Sequence, residues 1–144
     1  MRLTYHADYA LRLLVYAALR EGELVQIQEV ADAYGISKNH LMKVAFQLGK
    51  LGFLDTVRGR NGGLRLARPP EAIVIGDVVR KTEEDFTLVE CFDSKSNTCV
   101  ITGPCRLRGV LREALNAYLA VLDQHSLADL VKPRSALSRL LLAS

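Results

Sequence analysis

Between Ile27 and Leu51 the apolar residues recur at helical spacing in two short runs, and a glycine separates them. In the first run, 27–34, they are Ile27, Val30, Ala31 and Tyr34. In the second, 38–51, they are Leu41, Val44, Ala45, Leu48 and Leu51, with Ser37 as the N-cap. Gly35 ends the first run and Gly52 the second. Two helices that cross over a tight turn need a small residue where they approach and a glycine at the turn. Ala31 and Gly35 meet both needs, and Ile36, Leu41 and Val44 seal the joint. This is the helix-turn-helix pattern, and it limits the fold more than any other feature of the chain.

The stretch that follows, FLDTVRGRNGGLRLARPP, predicts two short strands around an Asn-Gly turn, closed by Pro69-Pro70. Charge is concentrated here. Residues 37–68 hold seven Lys/Arg and one acid, Asp55, although the whole chain carries a net charge of only +3. A basic segment in a nearly neutral chain is the electrostatic footprint of a nucleic-acid surface. One α-helix fits the major groove of DNA, and a second helix packed across it fixes the angle of entry. The candidate DNA contacts are Ser37, Lys38, Asn39, His40 and Lys43 at the start of the second helix, with Arg58, Arg60 and Asn61 at the hairpin tip. Gly59, Gly62 and Gly63 let the backbone approach closely.

The expected fold is mainly α with a small β-hairpin wing: a winged helix-turn-helix followed by a long helix. Residues 9–19, YALRLLVYAAL, are apolar almost all round, with Gly22 as a C-terminal cap. Such a helix must be covered on every side. A short helix is expected over 74–82, with Val78 and Val79 inward. A long one is expected over 104–123, with Pro104 in its first turn and a stripe of Leu107, Val110, Leu111, Ala114, Tyr118 and Val121 or Leu122. Helical turns are expected over 126–131, capped by Ser126, and over 135–142. The expected division is 1–70 for DNA binding, 71–103 for a connecting helix and loop, and 104–144 for the long helix, which the resemblance given below makes the dimerisation helix, and terminal turns. No segment reads as a membrane span or a targeting signal, so the expected location is the cytoplasm, where thiols stay reduced.

All three cysteines, Cys91, Cys99 and Cys105, lie in one polar loop, in the pattern C-x7-C-x5-C. The gaps are wider than those of most zinc sites and suit a larger object held by thiolates, such as an iron–sulfur cluster. A thiol redox switch, with one disulfide and one spare thiol, stays open. Zinc would need a fourth ligand, and His125 is distant in sequence. No acid–base partner or oxyanion-hole motif accompanies the cysteines, so the chain does not read as an enzyme.

Five segments together carry a resemblance over nearly the whole chain: MRLTYHADYALRLLVYAAL, VADAYGISKNHLMKV, VRGRNGGLRLARP, IGDVVRKTE, and the cysteine run through PCRLRGVL to LADLV. The chain resembles the Rrf-type winged helix-turn-helix iron–sulfur regulators, and among them the nitric-oxide-sensing repressors. Members of another branch carry a histidine three residues after the third cysteine, where this chain has Arg108.

The resemblance implies a homodimer paired through the long helix, binding an inverted-repeat operator on double-stranded DNA. It implies a cluster, 4Fe–4S in preference to 2Fe–2S, held by Cys91, Cys99 and Cys105 and by an aspartate of the other subunit. The matching residue is Asp8, in TYHADYA. It implies nitric oxide as the signal and release of the operator on cluster nitrosylation. The alternative under the same fold is a regulator that answers thiol redox state or iron.

Overall fold

The computed structural model describes residues 1–143. Helix α1 spans Tyr5–Leu19 and begins four residues before the apolar run, because Thr4 caps it by accepting from the Ala7 N–H at 3.2 Å. Ala10, Leu13, Leu14, Ala17 and Ala18 are buried, while Tyr9, Leu11, Arg12 and Val15 stay half-buried. The cap at its far end is Arg20, not Gly22, which instead turns the chain with φ +85°.

Helix α2, Ile27–Tyr34, ends as expected on Gly35, whose left-handed backbone (φ 66°) aims its N–H at the Ala31 carbonyl. Helix α3, Lys38–Lys50, starts at Ser37, whose hydroxyl accepts from the His40 N–H at 3.3 Å. Val30, Leu41, Val44 and Leu48 are fully buried between α1, α2 and α3. Strands β1, Leu54–Val57, and β2, Gly63–Leu66, pair antiparallel in the register Leu54↔Leu66 and Val57↔Gly63.

The connection between the strands is the five residues 58–62, not a two-residue Asn-Gly turn. Gly59 takes φ +107°, and the Gly62 N–H donates to its carbonyl at 3.0 Å. A Cβ at Gly62 would lie 2.1 Å from the Val57 carbonyl oxygen, so only glycine closes this loop. Val25 bonds reciprocally to Leu64 (2.7 and 2.9 Å) and ties the hairpin to the entry of α2.

Helix α4 spans Ile75–Thr82 with Val78 and Val79 buried. Helix α5 spans Arg106–Asp123, so Pro104 lies outside it and Cys105 is its N-cap. Helix α6, Leu127–Leu130, opens with a capping box between Ser126 and Asp129, and α7 spans Arg134–Leu141. The α4–α5 contact is close. A Cβ on Gly76 would fall 1.8 Å from an Asp123 carboxylate oxygen, and Arg80 holds that carboxylate through two bonds of 2.5 and 2.7 Å.

The apolar stripe expected on α5 divides in two. Leu122 packs against the chain's own core, as does Leu119; Leu119 and the buried Leu115 lie outside the expected stripe. Leu107, Val110 and Val121 remain 62%, 60% and 54% exposed. With exposed Ala114 and Ala117 they form a row spaced alternately three and four residues apart. No helix among the described residues is long and apolar enough to cross a membrane.

Candidate functional site

The start of α3 presents Ser37, Lys38, Asn39 and Lys43 to solvent, and Arg58, Arg60 and Asn61 are exposed at the wing tip. His40 differs from its neighbours. It is half-buried, with its ring edge-on to Tyr9 at 4.7 Å and 6.2 Å from His6. Two apolar residues went unnoticed in the sequence. Met42 and Phe46 are 52% and 66% exposed on the same outward face of α3, and Lys50 lies 4.8 Å over the Phe46 ring. Their signal was available, since they fall outside the positions Leu41, Val44, Ala45 and Leu48 that form the inner face.

The first turns of α1 grip α3 at two points. Tyr9 meets His40 near its start, and the His6 ring nitrogen Nε2 is hydrogen-bonded to Gln47 Oε1 further along. Gln47 also donates to the Lys81 carbonyl at 3.2 Å, and the Thr4 N–H and hydroxyl both donate to Glu83 Oε1 (2.8 and 2.9 Å). Tyr34 donates its hydroxyl to the Arg12 carbonyl at 2.9 Å, and burial pushes its pKa up to about 12. Between these contacts stands Asp8. Arg12, one turn on, holds its carboxylate in a two-bond fork at 3.1 and 2.9 Å, and the Asp8 side chain is 37% exposed.

The cysteine loop folds on its own side chains. Cys91 lies in a short turn, Glu90–Phe92. The long gap to Cys99 closes on Asp93, whose carboxylate accepts from the Lys95 N–H (3.0 Å) and the Ser96 hydroxyl (2.7 Å). Those bonds, Ser96 first, hold the Asp93 carboxyl below the ordinary carboxylate pKa. Asn97 accepts from the Cys99 N–H at 3.0 Å, and Thr102 donates to the Cys99 carbonyl at 2.8 Å. Arg112 of α5 stacks 3.9 Å over the Phe92 ring.

All three thiols are free and half-buried. Among the described residues no three His, Cys, Asp or Glu side chains are gathered tightly enough to hold one metal ion. Thiolates are the usual ligands of an iron–sulfur cluster, each binding a separate iron. The donor set fits an iron–sulfur group in its chemistry: three uncommitted thiols on one loop.

A turn-linked pair of helices, a recognition helix with a basic outer edge and a basic wing define a winged helix-turn-helix transcription regulator. Residues 3–133 match the Rrf2 family, described as an iron-dependent transcriptional regulator. The chain belongs to the Rrf2 family. It is similar to the HTH-type transcriptional regulator NsrR of Bacillus subtilis (strain 168), 57% identical over 142 residues that cover 98% of this chain and 97% of that protein. Among solved structures it is similar to a putative transcriptional regulator from Listeria innocua (28% identity, TM-score 0.74, covering 92% of this chain and 87% of that one). It is also similar to T. potens IscR (26% identity, TM-score 0.73, covering 93% and 88%). The chain is thus a DNA-binding transcriptional regulator and not an enzyme.

Proposed function

We propose that the chain is a homodimeric repressor that senses nitric oxide through an iron–sulfur cluster and then releases an inverted-repeat operator. The observation that carries this reading is the junction at the start of α5. Three free thiols end there on Cys105, and from there runs a 3-4 row of exposed apolar residues, Leu107 to Val121, that calls for a second copy. Ala114 and Ala117 at its centre let two such helices approach closely.

Cys91, Cys99 and Cys105 would hold the cluster, 4Fe–4S in preference to 2Fe–2S, and the partner's Asp8 would supply the fourth ligand. When bound, the cluster supplies iron that reacts with nitric oxide. The rest of the switch belongs to the protein. Asp8 has a competing partner in Arg12, to which it is paired in the single chain. Exchange of Asp8 between Arg12 and the neighbouring subunit shifts the first turns of α1. Those turns carry Tyr9 against His40 and His6 against Gln47, so α3 moves with them. Recognition helices in a dimer address half-sites about one helical turn, or a multiple of it, apart, so a small rotation of each α3 breaks the match. Ser37, Lys38, Asn39 and Lys43 contact bases and phosphates, Arg58, Arg60 and Asn61 follow the backbone, and His40 positions α3.

The test is native mass spectrometry and visible absorption of anaerobically purified protein, with Cys91→Ala, Cys99→Ala, Cys105→Ala and Asp8→Ala variants. Loss of the cluster in each cysteine variant, with a labile or altered cluster in Asp8→Ala, is expected. A colourless wild-type protein that changes operator affinity with thiol oxidation would favour the redox-responsive regulator instead.

A further inference from the structure

On the face of α3 that flanks the buried Leu41, Val44, Ala45 and Leu48 on the wing side, Met42 and Phe46 are 52% and 66% exposed. With Val57, 36% exposed, they line a groove of about 390 Å3 between α3, the entry of α2 and the wing. Val25, Ile27 and Leu64 complete an apolar lining, and Lys38 stands at its rim. Exposed apolar groups set among cations are costly to leave in water unless something covers them.

Charge selects the occupant. Seven Lys/Arg and a single acid lie between 37 and 68. A second copy meeting this face would bring the same cations and repel, whereas a polyanion is drawn to it. The major groove of DNA offers one apolar group at its base edges, the thymine 5-methyl, and apolar side chains read it by contact. We propose that Met42 and Phe46 are specificity-determining residues that read thymine 5-methyl groups. This rests on α3 entering the major groove and goes beyond it by naming what the apolar part of the helix recognises. The polar contacts of Asn39 and Lys43 fix the register, and the two apolar side chains select thymine beside them.

The test uses the full chain, purified anaerobically, and a duplex selected by it from a randomised pool. Each thymine is replaced in turn by deoxyuridine, which removes only the methyl group. At one or more thymines in each half-site, wild-type affinity should fall roughly fourfold, the factor that one buried methyl-sized group supports. Met42→Ala/Phe46→Ala should be indifferent to the same replacement, and Met42→Leu/Phe46→Leu should keep part of the discrimination. Both pairs lie on the surface, so an unchanged melting temperature checks that they fold. Deoxyuridine tolerated everywhere, or penalised equally in wild type and the Ala pair, overturns the proposal while the DNA-binding reading stands. Failure to bind any duplex overturns both.

Discussion

Gly62 shows how one residue decides the shape of the DNA-facing surface. Any side chain there meets the Val57 carbonyl at 2.1 Å, so the wing loop must reopen. Gly62→Ala should cost about 1–3 kcal/mol of stability, as overpacking does, and should lower operator affinity more than Arg58→Ala alone. Thermal melts and DNA titrations of the two variants check this. Tyr34 gives a pH signature. Its pKa rises from 10.0 to about 12 on folding, chiefly through burial, so the folded state favours the protonated form. Its stabilising share is complete below pH 10 and is lost as pH climbs toward 12. Tyr34→Phe should show a shallower alkaline fall in melting temperature than wild type, and an identical slope would contradict the assignment. Such effects were beyond reading from sequence. Gly62 stood next to Asn61 and suggested a two-residue turn, but the partner that excludes every other residue is a carbonyl five residues away through a loop. Asp8 read only as the ligand that the resemblance implies, and its pairing with Arg12 became visible only when α1 proved to begin at Tyr5.

At the scale of elements, the helix-turn-helix was legible almost to the residue, because its signals are local. Ser37 caps its own helix, Gly35 ends the preceding one, and Ala31 sits where the two cross. The long helix was legible as amphipathic, but its apolar stripe proved wider than one partner can cover. Periodicity alone cannot say that Leu115, Leu119 and Leu122 serve the chain's own core while Leu107, Val110 and Val121 face outward. The outward row makes a definite prediction. Val110→Glu and Ala114→Glu should each turn a dimer into a folded monomer, read by light scattering with unchanged helical circular dichroism. A dimer that survives both substitutions would rule α5 out as the pairing surface. The α4–α5 junction adds an acid dependence. The Arg80 hydrogen bonds hold the Asp123 carboxyl below its ordinary pKa, so their contribution is present above the usual carboxylate range and fades as pH falls through it. Asp123→Asn should flatten that acid limb of the stability curve.

Across the whole molecule, the proposed dimer would put the thiols, Asp8 and the recognition helix on one physical path. The cysteine loop leads into α5, and the row on α5 would bring a second chain alongside. Asp8 sits on the same first turns of α1 that grip α3 through Tyr9 and His6. The fourth ligand, Asp8, was legible only through the resemblance and not from spacing, because on this reading it belongs to another copy of the chain. Titration of anaerobically purified protein on a fluorescent operator, before and after stoichiometric nitric oxide, tests the central claim most directly. Tight binding by a coloured protein, falling at least tenfold on nitric oxide, is the expected result, and an operator affinity that nitric oxide leaves unchanged would contradict it.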